Sequence, residues 1–114
     1  MPIVLAAAVF CLSPSVHDGD TIRCGNERVR IANIDAPELP VSPKCHDRHV
    51  SYAWCDYRPG EASRAALVRL LSRGRVMIER IGTDRYGRTL ATVSVGGLDA
   101  GDYLISQGLA KPWR

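Results

Sequence analysis

Glycine and proline cut this chain into segments that leave room only for short strands and helices. Asp18-Gly19, Pro37 with Pro40, Pro59-Gly60, Gly74, the span from Gly82 to Gly87, and Gly108 all fall between stretches of periodic apolar residues. Val16 to Cys24 reads as a hairpin with Asp18-Gly19 at or near its turn. Arg28 to Ile34 reads as a third strand with Val29 and Ile31 on one face. Pro59-Gly60-Glu61 opens a helix on which Ala62, Ala66, Leu67, Leu70 and Leu71 form one apolar stripe, away from Arg64, Arg69 and Arg73, and Gly74 stops it. Arg75 to Ile81 and Arg88 to Val95 are two further strands. Asp99 to Gln107 is a second helix, N-capped by Asp99 and ended by Gly108. Residues 39 to 58 have no period and read as a long surface loop. Three strands, a helix, two strands and a helix describe an α+β, mainly β fold. The expected form is a five-stranded, partly closed barrel of the OB type with two helices, an architecture whose loops and one face commonly bind oligonucleotides.

With 114 residues there is enough chain for one core, and no linker or repeat divides it, so residues 13 to 114 are expected to form a single domain. Residues 1 to 12 contain the apolar run IVLAAAVFCL. It is too short for a membrane span, but it fits either a truncated secretory signal or the first strand of the fold. The cysteines are Cys11, Cys24, Cys45 and Cys55, an even number in a short chain, which in an exported protein points to two disulfides. Cys11 and Cys24 flank the Asp18-Gly19 turn at similar distances, so the expected pairs are 11 with 24 and 45 with 55. Zinc held by Cys45, His46, His49 and Cys55 is the weaker reading, because the spacing lacks the paired pattern of structural sites. These features place the protein in the periplasm or outside the cell.

Charge supplies the functional clue. Of the 15 Lys and Arg residues 13 are arginine, and the net charge is only +3, which permits a polyanionic partner without demanding one. The segment from His17 to Glu38, HDGDTIRCGNERVRIANIDAPE, threads Asp18, Asp20, Asp35 and Glu38 among Arg23, Arg28 and Arg30 in what otherwise reads as strand. Asp20 begins one strand and Asp35 ends another, so pairing can bring two carboxylates together. That arrangement becomes favourable around a hard cation such as Ca²⁺. Arg30 and Asp35 lie on opposite faces of an unbroken strand and converge only if the chain bends, as Pro37 would allow. Glu38 then borders the same site as a base for activating water.

Taken together, Asp18-Gly19-Asp20-Thr21, Val29-Arg30-Ile31 leading to Ile34-Asp35-Ala36-Pro37-Glu38, Asp84-Arg85-Tyr86-Gly87-Arg88-Thr89-Leu90-Ala91 and Gln107-Gly108-Leu109-Ala110 closely resemble the staphylococcal nuclease family. The resemblance runs in order from about Val16 to Lys111. It implies an OB-fold, Ca²⁺-dependent phosphodiesterase acting on DNA and RNA, single strands preferred, as a monomer without membrane association. It implies cleavage of the 5′ P–O bond, leaving 3′-phosphate ends. Asp20 and Asp35 match calcium carboxylates, Ala36 a backbone carbonyl ligand, and Thr21 a position close to the metal's water shell. Glu38 matches the general base, Arg30 and Arg88 the phosphate-binding arginines, and Arg85 and Tyr86 positions that contact a terminal phosphate. The family's base-stacking tyrosines near the C-terminus are missing, and Trp113 is the expected substitute. A non-catalytic OB-type nucleic-acid-binding module is the alternative function, and the intact set of matched residues favours the enzyme.

Overall fold

The structure is a computed structural model that describes residues 10–36 and 57–113, with the side chains of 57–59 left aside. The described elements are β1 (Pro14–Asp18), β2 (Thr21–Cys24), β3 (Glu27–Ile31), β4 (Ile34–Asp35), α1 (Tyr57–Leu71), β5 (Val76–Thr83), β6 (Thr89–Val95), β7 (Leu98–Asp99), α2 (Ala100–Ser106) and β8 (Lys111–Pro112). The five expected strands are β1, β2, β3, β5 and β6, ordered β1-β2-β3-β6-β5, and β7 adds to β6. Successive neighbours run antiparallel except β3 and β6, which are parallel because α1 and β5 intervene between them. The architecture is the expected α+β, mainly β arrangement with two helices.

The hydrogen-bonded path is open, and the segment leading into β1 reaches across to its far edge. Phe10 forms a bridge with Met77 of β5, and the Cys11 N–H donates to the Val76 carbonyl at 2.9 Å. Ser13 then turns with φ 52°, and Pro14 enters the ladder opposite Cys24 of β2. The expected Cys11–Cys24 disulfide is present, with Cα atoms 5.0 Å apart. Tying residues 13 apart in sequence removes about 3 kcal/mol of loop-closure entropy from the unfolded chain. The expected 45–55 pair and its zinc alternative lie outside the described residues.

Alternation fills the core. Ile22, Val29, Ile31, Val76, Ile78, Ala91, Val93 and Val95 point inward from the sheet, and Ala66, Leu67, Leu70 and Leu71 from α1 meet them with Leu104 of α2. Each fully buried large aliphatic side chain contributes about 1.5–3 kcal/mol. The helix differs from expectation at two points: it begins at Tyr57 rather than Pro59, and Ala62 is exposed while Ser63 is fully buried. Ser63 fits because its hydroxyl donates to the Leu109 carbonyl. The third strand also differs, since the chain turns at Ala32 and Asn33 and splits it into β3 and β4. β4 then pairs with β8 in a separate small sheet. Asp99 caps α2 as expected, accepting from the Asp102 N–H.

Candidate active site

The site is built where the β1–β2 turn, β3, the end of β4 and the β5–β6 turn meet. Asp18 accepts the Asp20 N–H at 3.1 Å, an Asx turn that closes the hairpin. Gly19 occupies a point of close approach. A Cβ there would stand 2.7 Å from the Ser63 Cβ and 2.8 Å from the Ala36 Cβ, so only glycine lets the turn lie against both α1 and the end of β4.

Asp20 is 5% exposed, and both its oxygens are engaged. Its Oδ1 accepts from the Thr21 hydroxyl at 3.1 Å; its Oδ2 accepts from the Ala36 N–H at 3.2 Å and lies 3.5 Å from Arg30 Nη2. The bond to Ala36 brings the Asp35–Ala36 segment against Asp20, so the two stretches carrying the expected metal ligands do meet. Asp35 is half-buried and pairs in register with Lys111.

Pro37, where a bend was expected, lies outside the described residues, whereas the chain turns at Ala32 and Asn33, and Arg30 reaches the Asp20 carboxylate because it opposes Thr21 in the ladder. Its Nη1 donates to the carbonyls of Ile31 at 3.0 Å and Ile34 at 3.1 Å, bracing the inside of the bend. Asn33 anchors the outside. Its amide donates to Asp99 at the start of α2, and its carbonyl accepts the Trp113 N–H. This fixes β8 and lays the Trp113 ring under Arg30, with the guanidinium carbon 4.5 Å from the ring centroid. Trp113 is exposed and therefore covers an arginine as well as facing solvent.

Arg88 arrives from the other side. Its Nη1 reaches the Thr21 hydroxyl at 3.4 Å, and its Nε donates to Asp84 at 2.7 Å. Asp84 also accepts the backbone N–H groups of Tyr86 and Arg88, which shapes the turn. Burial alone would raise the Asp84 pKa, but the Arg88 N–H and guanidinium and the Tyr86 N–H together hold it below its ordinary value. Arg85 lies over the Tyr86 ring and donates to its hydroxyl, so both expected substrate contacts sit together on an exposed tip beside Arg88.

One connected network therefore runs Arg88, Thr21, Asp20, Arg30, with Ala36 at its edge. Glu38 lies outside the described residues. Asp84 and Asn33 escaped the sequence reading as positioning residues. The Asx-turn pattern of an Asp two residues before Tyr86 was a usable signal for the first, while nothing local marked the second. Among the described residues no group of three or more His, Cys, Asp or Glu is gathered for a metal. What the site offers is the Asp20 carboxylate against the Asp35–Ala36 backbone, and the oxygen donors of these residues suit a hard cation and not a soft one.

A family model described as "Staphylococcal nuclease homologue" matches residues 28–114. The chain is 41% identical over 98 residues to "Succinoglycan biosynthesis protein ExoI" of Rhizobium meliloti (strain 1021), covering 84% of this chain and 48% of that protein. It is 34% identical over 109 residues to an "Uncharacterized endonuclease" of Haemophilus influenzae (strain ATCC 51907 / DSM 11121 / KW20 / Rd), covering 91% and 52%. It is also 38% identical over 84 residues to "Protein ParB" of Escherichia coli, covering 70% and 38%. The chain thus spans about half the length, or less, of these curated relatives.

Proposed function

The chain belongs to the staphylococcal nuclease homologue family, and from that membership we propose that it is a Ca²⁺-dependent nuclease hydrolysing phosphodiester bonds of DNA and RNA. The observation that carries the proposal is the network joining Arg88, Thr21, Asp20 and Arg30, in which two guanidiniums flank a buried carboxylate. A phosphodiester is an anion that resists attack by water, so its hydrolysis needs cationic donors and a positioned nucleophile. Arg30 and Arg88 supply the donors, binding the phosphate and the extra charge it gains in the transition state. Their orientation is set beforehand by carbonyls at Arg30 and by Asp84 at Arg88.

Asp20, Asp35 and the Ala36 carbonyl would hold Ca²⁺, with Thr21 beside its water shell. When bound, the ion supplies Lewis-acid charge at the phosphate. Glu38 takes the proton from the attacking water, which displaces the 5′ oxygen in line and leaves a 3′-phosphate. Arg85 and Tyr86 contact a terminal phosphate, and Trp113 offers a surface for a base. Single-stranded substrate is preferred, and the enzyme acts as a monomer. The Cys11–Cys24 disulfide supports a periplasmic or secreted setting. No helix among the described residues is long and apolar enough to cross a membrane.

The deciding experiment is release of acid-soluble nucleotides from heat-denatured DNA, with Ca²⁺ and with a calcium chelator. Calcium-dependent release is expected, and Glu38→Gln should reduce it by orders of magnitude while the protein stays folded and still binds calcium. Folded protein that binds DNA but releases nothing would instead be a binding module.

A further inference from the structure

The outward face of β2 and β3 continues beyond the candidate site. Thr21 opposes Arg30 in the ladder, and two residues further along Arg23 opposes Arg28. Residues two apart share one face of a strand, so the second pair stands beside the first at a step of about 7 Å. A primed turn fixes this register, with Gly25 at φ 65° in its first central position.

Arg23 and Arg28 are both exposed, and among the described residues no carboxylate forms a salt bridge with either. Glu27 beside Arg28 and Asp84 in the β5–β6 turn are already engaged, Glu27 by Arg80 and Thr89 and Asp84 by Arg88. Like charges directly opposite in an antiparallel ladder destabilise it. The sheet thus gains nothing from this pairing, whereas an anion bound across this face would give the two guanidiniums charge-assisted contacts.

Arg28 is also held in place. Its Nη2 donates to the Tyr86 carbonyl, and a Cβ at Gly87 would lie 3.3 Å from that nitrogen, so the β5–β6 turn abuts the guanidinium. The same turn carries Arg85 and Arg88. Arg28 therefore makes the basic surface continuous from the candidate site to the β2–β3 pair.

We propose that Arg23 and Arg28 form a second phosphate subsite, which takes the phosphodiester adjacent to the one bound at Arg30 and Arg88 in an extended single strand. The proposal rests on the nuclease reading for the first phosphate. The step along the strand is comparable with the spacing of successive phosphates in an extended polynucleotide, and arginine forks suit their oxygens.

The double variant R23A/R28A tests it, with R69A/R73A at the end of α1 and in the turn after it as a charge-matched control. Binding of a single-stranded oligodeoxynucleotide, followed by anisotropy in calcium chelator, should weaken about tenfold or more in R23A/R28A. The slope of log affinity against log salt should become shallower by about 0.7. KM for the oligonucleotide should rise in parallel, while hydrolysis of a dinucleoside monophosphate, with its single phosphodiester, stays unchanged. The melting temperature should change little, because removal of the repulsive pair offsets the lost Arg28–Tyr86 hydrogen bond. Unaltered oligonucleotide binding, or a loss matched by the control, overturns the proposal, as does an equal loss on both substrates. The binding readout needs no turnover, so failure of the nuclease reading is seen separately, as absence of wild-type hydrolysis.

Discussion

Strand β3 carries an arginine–carboxylate pair toward each end, and the two pairs are built on opposite principles. At the start of the strand, Glu27 receives Arg80 through two bonds of 2.6 and 2.9 Å and the Thr89 hydroxyl at 2.7 Å. That pair is about one-third exposed, bonded directly through both carboxylate oxygens, and joins β3 to β5 and β6. Near the end of the strand, Arg30 and Asp20 are far more buried yet stand 3.5 Å apart. There each group spends its best hydrogen bonds elsewhere, Asp20 on Thr21 and Ala36, Arg30 on two carbonyls. A pair that serves the fold saturates itself. The pair proposed to serve a ligand is held by its surroundings instead, through Thr21, Ala36 and two carbonyls.

The sharpest way to break this contrast is to exchange each arginine for lysine, which keeps the charge and loses the fork. Arg30→Lys should lower turnover on the order of 10²-fold, while Arg80→Lys leaves turnover near wild type. Similar losses in both would erase the distinction. Next in size, Glu27→Gln should cost about 1 kcal/mol of stability, since the pair is partly solvated, and urea unfolding at neutral pH measures it with activity intact.

Acid sharpens the same point. The Arg80 hydrogen bonds lower the Glu27 pKa from 4.5 to about 2, against the opposing effect of burial and with help from Thr89. A depressed carboxylate pKa means that its stabilisation is complete above the unfolded value and fades as pH falls from 4.5 toward 2. Urea midpoints for wild type and Glu27→Gln should therefore converge across that window, and parallel curves would count against the assignment. The smallest effect belongs to Trp113→Ala. An exposed cation–π contact is worth about 0.5–1 kcal/mol, so a loss of turnover of up to about fivefold is expected, and Trp113→Phe should restore most of it.

Much of this was legible because it is local. Asp18-Gly19 marks its hairpin by composition, Val29 and Ile31 mark their face by alternation, and Cys11 and Cys24 mark their bond by symmetry about the turn. What escaped depends on contacts far along the chain. The bend after β3 lies at Ala32 and Asn33 because Asp99 and Trp113 hold Asn33 from outside and Arg30 fills the inside. No local signal marks that position. Ser63 displaced Ala62 from the buried stripe because its hydroxyl finds the Leu109 carbonyl, 46 residues away. Strands β4, β7 and β8 have two residues each, too few to show a period. The proposed roles at Asp20, Arg30 and Arg88 came from motif resemblance, and composition alone would have left them as surface charges.

Gly19 gives the molecule a mechanical property as well as a geometric one. With α1 on one side and the end of β4 on the other, the turn that carries Asp20 sits where even one added methyl group would collide with both. How firmly α1 is seated therefore bears on the Asp20 turn as well as on the core that the helix shares with the sheet.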